Sequence, residues 1–228
     1  GGATASVDNI DIIVHGVGWD GPLFDVWPPA LTTRLLDGRD LSKGNPADAE
    51  AILRKFAPRA FRRPIAEEEF APYLALLKSR FDKGYRCEDA LRVALKAVLC
   101  SPDFLYLSPA PGKLNDFDLA ARLSYFLWSS TPDDALTTLA SRGELHKSAV
   151  LKQQVERMLK DSKADAFTKN FTGQWLSLRE MQATTPDKML YPEFEEMLLW
   201  SSVRETHLFF DELLKENLSV RNFVDSEF

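Results

Sequence analysis

The side chains best placed for chemistry stand near the end of the chain, in the stretch VRETHLFFDELL. His207 and Asp211 are four residues apart, and on a helix that spacing sets an imidazole beside a carboxylate, as two ligands of a divalent metal would be. Two ligands need a third from elsewhere, so the pair alone fixes no metal. Arg204 and Glu205 are adjacent and flanked by large apolar residues. Their setting predicts partial burial and pairing with charges on another helix, with Asp118 and Arg122 as the candidates. Arg122, Arg204, Glu205 and His207 therefore make up the catalytic candidates. The other histidines, His15 and His146, have no metal-binding spacing, and neither a nucleophile elbow G-x-S-x-G nor a P-loop occurs.

Two features of the first thirty residues suggest a ligand and also limit the suggestion. Gly16, Gly18 and Gly21 form a G-x-G-x-x-G directly after an alternating run, Ile10, Ile12 and Val14, that reads as a strand. A phosphate-cradling loop must open into a helix, whereas here Pro22, Pro28 and Pro29 follow, and no second strand-helix unit appears. A strand packed on a helical body is the better reading. Trp19 and Trp27, set among those prolines, could stack on sugar rings as a carbohydrate-binding ledge or anchor the loop on its own core.

The elements that would position these groups are helical. In the stretch 114–145, Asn115 can cap a helix bearing Leu119, Leu123, Phe126 and Leu127 at helical spacing. Ser129 and Ser130 stop it. Thr131 is then expected to cap a second helix, with Pro132 in its first turn, Asp133 and Asp134 at its positive end and Gly143 after it. Upstream, a helix begins at Asn45 and Pro46, carries Ile52, Leu53, Phe56 and Phe61, kinks at Pro58 and ends at Pro64. Two more follow, near 66–81 with Gly84 after it and near 86–100, and then Phe104 to Leu107 reads as a short extended piece. Downstream come a helix over 148–159 and an aromatic stripe assigned to the core, made of Phe167, Phe171, Trp175 and Leu178. The last long helix runs from Pro192 to about Lys215, with Phe194, Met197, Leu198, Leu208, Phe209 and Leu213 as its buried candidates. The expected fold is mostly α: a bundle of about eight helices in two packed subdomains, 45–112 and 113–228, divided at the hinge-like SPAPG, after a strand and loop segment over 1–44.

Composition sets outer bounds. With 228 residues, 45% of them hydrophobic, the chain can bury a full core. A net charge of -6, with eleven acidic against four basic residues from Glu180 onward, argues against nucleic acid as a partner. Arg54, Lys55, Arg59, Arg62 and Arg63 crowd one segment, a patch that reads first as a solvated helix face. No apolar run is long enough to span a membrane. Gly1 to Ser6 reads as an appended scar or an internal cut, so the lack of a signal peptide there leaves export open. Cys87 and Cys100 on one helix would sit about 20 Å apart at about 1.5 Å per residue, too far to bridge, and are expected as two buried thiols. There is no C-x-x-C-H, so this chain carries no c-type haem of its own.

Several separated motifs, in order, bear a family resemblance. RKFAPRAFRRPIAEEEFAPYLALL followed by ALRVALKAVLCSPDFLY resembles one uncharacterised domain of the planctomycetal cytochrome-c-like proteins. DLAARLSYFLWSSTPDDALTTLASRGEL, FTGQWLSLRE and VRETHLFFDELL resemble the next domain of the same proteins. The chain departs from the usual pattern at Pro58, Ala66 and His207. The resemblance implies a piece of an exported, periplasmic or cell-surface protein of several domains, with haem c bound elsewhere in the parent polypeptide. It implies the haem-bearing and other domains of that polypeptide as partners, and it brings no catalytic residue. Three functions remain open: a structural or docking module; part of an extracytoplasmic enzyme, an oxidoreductase or one acting on a polysaccharide; or a carbohydrate-binding module using Trp19 and Trp27.

Overall fold

A computed structural model describes residues 25–107, 111–183, 186–187 and 189–226. The expected strand near Ile10, the glycine motif, His15, Trp19 and the Ser108 to Ala110 part of the hinge lie outside the described residues. The described chain is a mostly α bundle, without strands, of ten α-helices. Two of the ten, α1 (Ala30–Leu35) and α5 (Pro102–Leu105), are short; the other eight are α2 (Pro46–Phe61), α3 (Glu67–Asp82), α4 (Cys87–Leu99), α6 (Asp116–Trp128), α7 (Asp134–Ser141), α8 (Ser148–Leu159), α9 (Asp165–Trp175) and α10 (Glu196–Lys215).

Local chemistry fixes most of the ends. Asn45 Oδ1 accepts from the amides of Ala47 and Asp48, while Asp48 returns a carboxylate to the Asn45 amide, a reciprocal cap that starts α2. Ala66 offers α3 no side-chain cap, but Glu69 accepts from the Ala66 amide at 3.3 Å, so half of that device survives the missing hydroxyl. Gly84 and Gly143 take the left-handed conformation that ends α3 and α7. Gly44 is required for a different reason: a Cβ there would lie 2.8 Å from Cys87 Sγ. Cys87 is buried and burial pushes its thiol up, whereas Cys100 is exposed, so only one of the two thiols is a core residue.

Most of the buried apolar side chains among the described residues fall into two clusters. Leu53 and Ala57 of α2, Phe70 and Leu77 of α3, and Leu91, Ala94 and Val98 of α4 form one. Leu127 and Trp128 of α6, Leu136 of α7, Leu145 of the connection after it and Met158 of α8 form the other. Trp128 is fixed from two sides, donating Nε1–H to the Met158 carbonyl at 2.9 Å and lying under Arg157 and Lys163.

The run of basic residues on α2 serves the structure. Arg54 pairs with Glu50 and Glu67, Lys55 with Asp37, and Arg63 with Glu69 and Asp103. Arg62 is buried, in a left-handed conformation just past the end of α2, and donates to the carbonyls of Asp103 (2.6 Å), Phe104 (3.0 Å) and Tyr106 (3.2 Å). It also donates to Tyr125 Oη at 3.3 Å, so one guanidinium joins the end of α2, the turn α5 and helix α6.

Several local features differ from expectation. The piece over Phe104 to Leu107 begins as a helical turn, because Ser101 caps it and Pro102 occupies its first position. Helix α7 is capped by Asp133, not Thr131: its carboxylate accepts from the Leu136 amide at 2.9 Å and from Arg157 at 2.8 Å. On α6 the buried face is Ala120, Ser124, Leu127 and Trp128, and Phe126 points outward. Helix α10 starts four residues after Pro192, and of its expected core residues only Leu213 is buried.

Candidate functional site

Helix α10 has two apolar faces. Its inner face, Leu199, Val203, Phe210 and Leu213, lies against α9 and the 3-10 segment Leu178–Ala183. Its outer face sets Met197, Trp200, Arg204 and Leu208 in line at spacings of three and four, and the apolar members are 71%, 55% and 50% exposed. Ser201, Glu205 and Glu212 flank that line. Leaving such a stripe in water is unfavourable, and an exposed apolar patch edged by charge marks an interaction surface.

The aromatic stripe assigned to the core also emerges at the surface. The buried side of α9 is Thr168, Thr172 and Gly173, while Phe171 and Trp175 are 38% and 52% exposed. The rings instead form a ladder of their own. Phe167 meets Phe126 edge-on with centroids 5.1 Å apart and stacks on Phe171 at 5.4 Å; Phe171 meets Trp175 at 5.6 Å, and Trp175 meets Phe223 at 5.2 Å. Mutual ring contact, rather than enclosure, holds this face together.

Between α9, the 178–183 segment and the inner edge of α10 lies a cleft of about 410 Å³. Lys169, Asn170 and Gly173 of α9 form one wall, Leu178 and Arg179 a second, and Leu199, Trp200, Val203 and His207 of α10 a third. Arg179 lies across Gly173, where a Cβ would meet its Nε at 3.7 Å, and donates to Asn170 Oδ1 at 3.0 Å. Asn170 in turn donates to Ser129 Oγ at 2.6 Å, so the cleft is tied to the end of α6. His207 Nε2 is closed off from solvent and has no hydrogen-bond partner among the described residues. Burial, together with the charges of Lys169 and Arg204, holds its imidazole below the ordinary histidine range.

The candidates named from the sequence do not come together around one point. Arg122, Arg204 and Glu205 are exposed, and none forms an ion pair or side-chain hydrogen bond among the described residues, so the expected network with Asp118 is not made. Asp118 is bound to its own cap residue, Asn115. His207 lines the cleft, but Asp211 turns to Thr168 Oγ1 (3.3 Å) and Lys215. Among the described residues no three metal-ligating side chains converge. Lys169, Asn170 and Arg179 carry no motif that singles them out in the sequence.

A pairing that the sequence did not reveal lies elsewhere. His146 Nδ1 bonds Asp116 Oδ1, and the other oxygen accepts from the Leu145 amide at 2.8 Å. Burial raises the Asp116 carboxyl, but the hydrogen bonds from His146 and Leu145 outweigh it and leave the group below the usual carboxylate range. This pair fastens the turn after α7 to the first residue of α6, and no nucleophile lies in hydrogen-bond contact with it among the described residues.

Residues 114–228 match the family model described as a protein of unknown function (DUF1592), and residues 48–108 match that of another family of unknown function, DUF1595. The first match spans half of the chain, which therefore belongs to the DUF1592 family. Nothing matches it among the curated proteins or the solved structures.

Proposed function

We propose that this DUF1592 chain is a structural docking module of a larger, exported, c-type-cytochrome-like polypeptide, and that the outer face of α10 is its docking surface. One observation carries the reading: a helix whose inner face is already packed presents Met197, Trp200 and Leu208 to solvent in a single line. The order of the sequence motifs, and the two adjacent families matched, support the placement within a longer protein. Haem c belongs, in this reading, to another part of the parent polypeptide, and the module holds that part in place in the periplasm or at the cell surface. Calorimetric titration of the chain with the separately produced haem-bearing segment tests it. Saturable heat is expected; none would exclude the docking role.

Polysaccharide recognition is a second reading, favoured by Trp27, which is 76% exposed and could stack on a sugar ring. The same titration repeated with glycans separates the two.

A further inference from the structure

We propose that the cleft between α9, the 178–183 segment and α10 is an oxyanion site, taking a sulfate, phosphate or carboxylate group between Lys169 and Arg179, with His207 in the wall beside it. The site adjoins the docking surface on the outer face of α10, sharing Trp200 with it, and uses different charged groups.

The chain is acidic overall, and some of its basic side chains, Arg54, Arg63 and Arg157 among them, are matched by carboxylates. The cleft is distinguished by what lines it. Its lining holds three nitrogen bases and no carboxylate. Neither Lys169 nor Arg179 forms an ion pair among the described residues, and Arg179 donates instead to a neutral amide. Like charges are brought together only at a cost unless something negative sits between them. The geometry adds a second reason, because Arg179 crosses the bare surface of Gly173 to reach this position. The buried Nε2 of His207 is a polar atom for which the described residues supply no partner, at the same wall.

Protonation is coupled to occupancy. Lys169 of α9 and Arg204 of its own helix oppose a proton on His207, and burial adds to them. Arg179 faces it from the wall formed by the 178–183 segment, while Asp211, one turn along α10, is engaged by Thr168 and Lys215. An oxyanion between Lys169 and Arg179 offsets those charges, so His207 should take up a proton as the anion binds.

The experiment is a titration of the chain with sodium sulfate, phosphate and acetate at constant ionic strength set by chloride, followed through the His207 ring by NMR. Saturable shifts and a rise of the His207 midpoint are expected for at least one of the three. Arg179→Gln and Lys169→Gln, both exposed positions, should each weaken that binding by about tenfold or more while leaving the thermal midpoint in place. His207→Gln should retain anion binding, measured by calorimetry, but lose its proton uptake. Shifts that do not saturate, or binding that both substitutions leave unchanged, would mean an adventitious ion only and overturn the site.

Discussion

Helices α2 and α10 look alike in sequence and behave differently in the fold. Both carry apolar residues at helical spacing; α2 buries six of its sixteen residues, and α10 buries one of twenty. The difference lies in what surrounds them. Helix α2 is covered by α3 and α4 on the side where Ile52, Leu53 and Ala57 stand, and its other faces carry paired charges. Among the described residues, helix α10 is covered along one side, yet it carries apolar side chains on two. An apolar period shows that a helix wants a partner; it does not show that the partner is in the same chain.

The sharpest contrast is thermodynamic. Leu53→Ala, at a fully buried position, should cost about 3 kcal/mol in chemical denaturation. Leu208→Ala on the outer face of α10 should change stability by no more than about 0.5 kcal/mol. An equal loss at both would mean that the outer face is packed in solution, and the two helices would no longer differ.

Next in size is Arg62→Ala, which strands three carbonyls of the turn α5 and should cost about 2 kcal/mol or more by the same measurement. Lysine at this position should rescue only part, because a single ammonium cannot reach carbonyls that the planar guanidinium spans. Asp133→Ala removes both a cap and the partner of Arg157, and a loss of about 1 kcal/mol is expected.

The smallest effect is on pH dependence. Because the folded-state midpoint of His207 lies below its ordinary value, the unfolded chain binds the proton more readily, so stability should fall as the pH drops from about 7 toward about 5. Gln in place of His207 should flatten that slope. Asp133 acts at lower pH: burial raises its carboxyl, but the hydrogen bonds from Arg157 and Leu136 lower it further, and its contribution is kept above the ordinary carboxylate range and lost below it. Melting curves between about pH 3 and pH 8 distinguish the two.

The fold class and most helix ends were legible because caps and stops are local. Asn45, Asn115, Gly84 and Gly143 act within a few residues, and each does what its type and place imply. Thr131 and Asp133 are both capping types, and Asp133 is the one that caps; its further partner Arg157 stands twenty-four residues away and is silent in a local reading. The same limit hides the captured carbonyls around Arg62, whose basic run looks like a solvated face. It also misplaces Phe171 and Trp175, since helical spacing groups residues on a face without saying what covers it. The cleft was illegible for a related reason: Lys169, Arg179 and His207 come from three elements, and only the packing of α9 against α10 brings them to one place. Large apolar neighbours make Arg204 and Glu205 look buried in the sequence, yet two of those neighbours, Trp200 and Leu208, are themselves exposed.

The central claim is that the outer face of α10 is built for a partner. It is tested most directly by comparing the affinity of the haem-bearing segment for the unaltered chain and for Leu208→Glu, which places a charge within the apolar line. Binding at least about tenfold weaker, with an unchanged melting temperature, is the predicted result. Equal affinity for the two chains would contradict it.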